Sequence, residues 1–231
     1  MLVLPKLFEG EFVTKPANAA NFNDEQIIDL RWRGLKLLQK RNLFGFTSDS
    51  LALAKFVGSH PSYQTVCDLG SGSGGLLLLL WALNPQAQCC GLELLATNVQ
   101  LAKRSLLLNK HLPELSQHCC FLQGDWRTPG LYFAPQSFDL LVSNPPYWPA
   151  GSSRQSPVLE RAAARNELFG TLAELISSAH WLLKPGGRLA MVLPWQRQQE
   201  AEQLLTINDL SLLRLEKQQK LLLIEAEQAI D

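Results

Sequence analysis

Between residues 65 and 193, short apolar runs of strand length alternate with longer stretches whose apolar residues recur at helical spacing, and this alternation restricts the fold more than any other feature. Strands are read at 65–69, 87–92, 119–123, 138–143 and 188–193. Helices are read up to about Leu83, over 96–109 and around 160–183, the last ended by Pro185-Gly186-Gly187. Alternation of this kind implies a mostly parallel sheet with helices on both faces, and ligands then sit beyond the carboxyl ends of the strands. Two later apolar runs, 210–215 and 221–224, are placed to pair as a closing antiparallel hairpin across Lys217 to Lys220.

One core suffices for this chain, because 231 residues bury roughly 70% of the unfolded surface without disulfide or metal staples. The leucine-rich run 76–83 is far short of the ~20 apolar residues of a membrane span, so it reads as a buried helix. Four of the five cysteines fall in adjacent pairs, Cys89-Cys90 and Cys119-Cys120, inside strands. Neighbouring strand residues face opposite sides of a sheet, so neither pair can hold one metal. They read as structural cysteines of a reducing cytoplasm, and no metal is expected. Upstream, the first 24 residues show no stable period and read as a loose arm. Leu30 and Trp32 alternate with Asp29, Arg31 and Arg33 until Gly34, which predicts a short hairpin over 27–40, and Asp49 is placed to cap a helix running to Val57. Residues 1–64 are thus expected to pack an arm, a hairpin and a helix onto a domain at 65–231.

The first chemical signal is Val66-Cys67-Asp68-Leu69-Gly70-Ser71-Gly72-Ser73-Gly74, which leaves a strand and enters a helix. Glycines there permit a tight turn and a close backbone approach to a ligand. Alone, the loop fits a nucleotide site or a mere strand-to-helix turn. Glu93 ends the second strand nineteen residues after Gly74. A carboxylate there can accept both ribose hydroxyls of an adenosine-containing cofactor, each bond contributing about 1.5–3 kcal/mol. Asp125, just past the third strand, can accept from the adenine amino group. Each acid taken singly could equally be a helix cap; acids at successive strand ends fit the cofactor better.

From about Thr65 to Pro194 this order of motifs resembles the class I S-adenosylmethionine-dependent methyltransferases, with their Asp-Leu-Gly-x-Gly-x-Gly loop rather than the dinucleotide pattern of dehydrogenases. The resemblance implies a Rossmann-like α/β fold: a mostly parallel seven-stranded sheet, helices on both faces and a C-terminal antiparallel hairpin. It also implies S-adenosylmethionine as cofactor, with Asp68, Gly70, Gly72, Gly74, Glu93, Asp125 and Asn144 around it. After the fourth strand, Ser143-Asn144-Pro145-Pro146-Tyr147 resembles the turn of amino-methyltransferases that act on adenine, cytosine or glutamine amide nitrogen. Such a nitrogen has its lone pair delocalised into a π-system. Two acceptors, the Asn144 side-chain oxygen and the Pro145 carbonyl, can bind its two N–H groups and direct the lone pair at the methyl group. Pro145 and Pro146 fix the turn, and Tyr147 offers a face on which a base can stack, worth about 1–3 kcal/mol. No strong general base is required, because the proton leaves after the amine has become cationic.

The run Gly34-Leu35-Lys36-Leu37-Leu38-Gln39, the segment Phe44-Gly45-Phe46-Thr47-Ser48-Asp49-Ser50-Leu51, and Ala164-Arg165-Asn166-Glu167 are similar to the tRNA1(Val) adenine-37 N6-methyltransferase family. That resemblance implies that Phe46, Thr47 and Asp49 help close the cofactor pocket. It implies an adenine N6 in RNA as acceptor, first of all adenine 37 of a tRNA, and a cytoplasmic protein with no membrane partner. With 21 basic and 21 acidic residues the net charge is zero, so RNA must be met by a local patch. Arg31, Arg33, Lys36, Lys40 and Arg41, interleaved with Trp32 and Phe44, are expected to border the base pocket, with Arg154, Arg161 and Arg165 on the opposite wall. The plain alternative for this run is a solvated face. After Pro194 the family's long basic tail has no counterpart, so a substrate-facing element is expected to be shortened. Two other readings stay open. One is a protein glutamine N5-methyltransferase, whose separate helical N-terminal domain has little room in 64 residues; the other is a non-catalytic RNA- or protein-binding module on the same fold.

Overall fold

A computed structural model describes residues 24–41, 46–58, 63–145 and 170–230. An antiparallel hairpin of β1 (Glu25–Asp29) and β2 (Lys36–Lys40) leads to α1 (Ser48–Val57). Strands and helices then alternate: β3 (Thr65–Leu69), α2 (Gly75–Leu83), β4 (Gln88–Glu93), α3 (Ala96–Leu108), the short α4 (Pro113–His118) and β5 (Cys119–Gln123). β6 (Phe138–Ser143), α5 (Leu172–Leu182), β7 (Leu183–Pro194), α6 (Gln198–Ile207) and the hairpin β8 (Leu210–Gln218) and β9 (Leu221–Gln228) complete the order.

Seven strands form one sheet in the order β5-β4-β3-β6-β7-β9-β8. The first five are parallel, and β9 and β8 close the sheet antiparallel, so the expected fold class is the one present. Alternation along each strand divides the core into two layers. Val66, Leu140, Val142, Ala190 and Val192 pack under α1, α2 and α3, where residues Gly75 to Ala82 of α2 are all buried. Cys67, Leu69, Leu141, Leu189, Met191 and Leu193 pack under α5 and α6. Chain order reverses between β3 and β6, which is where an open α/β sheet leaves a crevice.

Local details differ from the reading of the sequence. Thr47, not Asp49, is the N-cap of α1; Asp49 sits inside the first turn, where a carboxylate still meets the positive end of the helix. α5 starts at a capping box of Thr171 and Glu174, and the expected residues 160–169 of that helix lie outside the described residues. β7 begins at Leu183 rather than Arg188: its register against β6 shifts between Phe138 and Leu140, and Gly186, at φ +73°, sits in that irregular stretch. The closing hairpin is longer than expected, turning at Gln219 and Lys220. The register also pairs cysteines across strands, Cys89 with Cys119 and Cys90 with Cys120. Among the described residues, no group of three or more His, Cys, Asp or Glu is placed to hold a metal ion, and no helix is long and apolar enough to cross a membrane.

Candidate active site at the carboxyl ends of four strands

Asp125, Glu93, the glycine loop and Asn144 stand at the carboxyl ends of β5, β4, β3 and β6, in that spatial order. Three strand-to-strand steps of ~4.8 Å make a row of roughly 14 Å, long enough for an extended nucleoside cofactor with the acceptor at one end.

The glycine loop lies at the centre. Gly70 and Ser71 donate their N–H groups to the Leu92 carbonyl at 2.8 and 3.2 Å, tying the loop to β4. Glu93 accepts from the backbone N–H of Gly72 at 2.8 Å and of Leu95 at 2.8 Å, one on each carboxylate oxygen, so the loop and the acid fix each other. Burial pushes the Glu93 carboxyl up, opposed by the Leu95 and Gly72 N–H groups that pull it down. Asp68 is 1% exposed; burial, and then the neighbouring charge of Glu93, push its carboxyl well up. Gly72, at φ +55°, has nothing within 4 Å of where a β-carbon would stand. Gly74, at φ +89°, is pressed so closely that its β-carbon would be 2.5 Å from Phe121 Cζ.

Past β5, Asp125 is held by Arg127, whose Nη2 lies 2.6 Å from one carboxylate oxygen and whose backbone N–H donates to the other at 2.9 Å. Burial raises the Asp125 carboxyl, but these hydrogen bonds outweigh it and the net shift is downward. Trp126 packs over Gly70 and Gly170, and its carbonyl accepts from Ser178 Oγ at 2.7 Å.

On the other side of the loop, Phe46 covers Gly75 and receives the Gln39 side-chain oxygen on its N–H at 2.9 Å. Thr47 Oγ1 and Ser71 Oγ are buried with no hydrogen-bond partner among the described residues. At the end of β6, Ser143 Oγ donates to the Leu69 carbonyl at 2.7 Å, which sets Asn144 beside Gly70. Asn144 Nδ2 donates to Ser50 Oγ at 3.0 Å, and Pro145 is buried. Pro146, Tyr147, Arg154, Arg161 and Arg165 lie outside the described residues, as does Phe44.

The basic run at the N-terminus is divided by its packing. Lys36 exchanges hydrogen bonds with Asn109 at 2.7 Å each way and Leu38 N–H donates to Ser105 Oγ at 2.8 Å, so β2 lies antiparallel to α3. The hairpin turn therefore meets the ends of α2 and α3 remote from the glycine loop: Arg33 stands 6.0 Å from the Trp81 ring. α3, thirteen residues long, separates that end from Glu93 by about 20 Å. Arg31, Arg33 and Lys36 are thus placed away from the strand-end row, whereas Lys40 and Arg41 follow Gln39, whose side chain bonds Phe46 beside the glycine loop. Ser50, Ser71, Trp126 and Arg127 were not singled out from the sequence. Ser50 lies within the segment Phe44 to Leu51, yet nothing in the sequence links it to a residue 94 positions on.

Residues 61–227 match the family described as "Methyltransferase domain". The chain belongs to that family. Among curated relatives of this chain, a tRNA1(Val) (adenine(37)-N6)-methyltransferase of Porphyromonas gingivalis is 33% identical over 155 residues, covering 65% of this chain and 58% of the relative. A release factor glutamine methyltransferase of Caulobacter vibrioides is 29% identical over 182 residues, covering 75% of this chain and 61% of the relative. The chain thus spans little more than half the length of such relatives. Among solved structures, TrmN from Thermus thermophilus shares the fold at TM-score 0.54 and 21% identity, over 78% of this chain and 48% of that one.

The cofactor of the methyltransferase is S-adenosylmethionine, and the site fits it. Two orphaned hydroxyls, Thr47 Oγ1 and Ser71 Oγ, suit its amino-acid end. The open space over Gly72 admits its backbone-hugging middle. Asp68 and Glu93, buried acids with raised carboxyl pKa values, suit a ligand that carries positive charge and ribose hydroxyls.

Proposed function

We propose that this methyltransferase acts on the exocyclic N6 of an adenine in RNA, with adenine 37 of a tRNA as the first candidate. The observation that carries the proposal is Asn144 at the end of β6, beside the glycine loop and next to Pro145. When bound, S-adenosylmethionine supplies an electrophilic methyl group. Glu93 holds the ribose, Asp125 the adenine, and Gly72 lets the backbone approach between them. The Asn144 side-chain oxygen and the Pro145 carbonyl accept the two N–H groups of the acceptor amine, drawing the nitrogen out of conjugation so that its lone pair is directed at the methyl group. The product amine is cationic and sheds its proton to water, so no side chain is required as a base. Lys40 and Arg41, at the site end of the N-terminal hairpin, supply the phosphate contacts available to a protein of zero net charge. An adenine already unpaired in an anticodon loop saves a few kcal/mol of extrusion. The relatives named for tRNA adenine support the RNA reading, and the release-factor relatives support an amide nitrogen on the same two acceptors.

The deciding experiment incubates the protein with methyl-labelled S-adenosylmethionine and, separately, unmodified tRNA transcripts and release factor. Label in N6-methyladenosine at position 37, lost in Asn144→Ala with cofactor affinity retained, is the expected result. Label in release-factor glutamine, or turnover by Asn144→Ala at the parent rate, overturns it.

A further inference from the structure

The hydrogen bond from Asn144 Nδ2 to Ser50 Oγ joins two segments 94 residues apart, and no local turn requires it. An asparagine amide has a broad, roughly two-fold torsion, so its oxygen and nitrogen exchange places at little cost unless something distinguishes them. At Asn144 the exchange matters. Presenting the NH2 group to an acceptor amine sets donor against donor, and the amine keeps its planar, unreactive form.

Ser50 gives the NH2 group a partner in the productive orientation and holds the amide plane; because its hydroxyl can donate as well as accept, the N–H groups of the acceptor amine select the oxygen and Ser50 supports that choice. It is 7% exposed, in the first turn of α1, and its oxygen takes the Asn144 nitrogen at 3.0 Å. Because Oδ1 and Nδ2 diverge from one carbon, holding the nitrogen turns the oxygen to the other side. α1 is itself anchored at its far end: Arg214 Nη2 donates to the Phe56 carbonyl at 2.6 Å, and the guanidinium lies 3.6 Å from the Phe56 ring centroid. Arg214 comes from β8 and is held in turn by Glu225 of β9 at 3.4 Å. On the other side, the bond from Ser143 to the Leu69 carbonyl fixes the backbone that carries Asn144. Helix and strand end are each fixed independently, so the serine–asparagine bond joins two firm supports.

We propose that Ser50 is a positioning residue for the methyl-transfer step, holding the Asn144 amide in the orientation that turns its oxygen to the acceptor nitrogen. The proposal rests on the reading that Asn144 accepts from that nitrogen. Ser50 touches neither cofactor nor acceptor in this role. Its removal should therefore lower kcat and leave the cofactor Kd and the KM for the acceptor unchanged.

The test uses the full chain, S-adenosylmethionine, and the unmodified tRNA transcript or release factor that takes label in the assay above. Loss of one hydrogen bond predicts a kcat for Ser50→Ala about tenfold below the parent. Ser50→Thr, which keeps the hydroxyl, should restore most of it. Adding Ser50→Ala to Asn144→Ala should cost nothing further, since the residue acts only through the asparagine. Independently of any substrate, the side-chain amide resonances of 15N-labelled Asn144 should shift in Ser50→Ala and stay near the parent in Ser50→Thr. Unchanged kcat in Ser50→Ala alongside an inactive Asn144→Ala overturns the positioning role and leaves the Asn144 reading standing. Turnover by Asn144→Ala at the parent rate removes that reading itself, and unmoved Asn144 amide resonances in Ser50→Ala remove the tether.

Discussion

Replacing Gly72 and Gly74 separately by alanine distinguishes a glycine kept for the cofactor from one kept for the fold. Both have positive φ, +55° and +89°, so alanine at either pays about 1–2 kcal/mol for the left-handed conformation. Their surroundings differ. At Gly72 a new methyl group meets nothing within 4 Å, so backbone strain is the whole cost to the folded chain. At Gly74 the methyl group would stand 2.5 Å from Phe121 Cζ and 3.3 Å from Ala102 Cβ, both in a packed layer. Overpacking adds about 1–3 kcal/mol, for a total of roughly 2–5 kcal/mol. In a chain of this length about 1 kcal/mol moves Tm by roughly 2–4 °C. Gly72→Ala should therefore lower the Tm of the cofactor-free protein by only a few degrees, and Gly74→Ala by two to three times as much. Calorimetric titration with S-adenosylmethionine should show the reverse ranking for Gly72→Ala: its methyl group fills the space the cofactor needs, and affinity should fall at least a hundredfold, about 2.8 kcal/mol. A Gly72→Ala protein that binds the cofactor at the parent's affinity, or that loses as much Tm as Gly74→Ala, refutes the placement of the pocket over Gly72.

Glu93→Gln keeps one acceptor oxygen where two each take a backbone N–H, and should weaken cofactor binding about 10- to 150-fold, with Asp125→Ala having a smaller effect because Arg127 already engages that carboxylate; titration calorimetry checks both. Asp68, with its carboxyl pKa raised in the fold, favours folding below the unfolded value of about 3.9 and loses that contribution as pH rises toward its folded value, so neutral pH penalises the cofactor-free protein. Asp68→Asn should then raise the cofactor-free Tm at pH 7 while weakening S-adenosylmethionine binding; a lowered Tm contradicts the sign. Cys120 is the exposed cysteine, its thiol brought down to about 7 by the Cys90 thiol, with Lys103 adding to the effect. One fast thiol should react with a disulfide reagent, its rate rising through pH 7 and vanishing in Cys120→Ser; a midpoint near that of free cysteine counts against it.

Strand order from Thr65 onward, with α2, α3 and α5, was legible because each of these elements carries its own period, and burial on both faces of a parallel sheet leaves few other readings of such runs; α4 and α6 were not read from the sequence. The placement of the glycine loop, Glu93, Asp125 and Asn144 at neighbouring strand ends was legible for a related reason. Strand ends on one edge of a parallel sheet must lie side by side, so motifs at successive ends converge whatever the helices between them do. Placement of the N-terminal basic residues was not legible. The run read as one patch, but the pairing of Lys36 with Asn109 and of Leu38 with Ser105 lays β2 along α3 and sends Arg31 and Arg33 to the far end. The true cap of α1 was also missed, since Thr47 and Asp49 are both competent caps and the choice depends on how Phe46 packs against Gly75. The cysteines were judged along the strand, where neighbours diverge, while the register set them side by side across strands. Local sequence thus determined the elements and the residue types at the strand ends, which depend on neighbours a few positions away. Tertiary structure alone decided which distant side chains meet, such as Ser50 with Asn144 and Arg214 with Phe56, because those contacts depend on how whole elements pack across the sheet and leave no periodic trace along the chain.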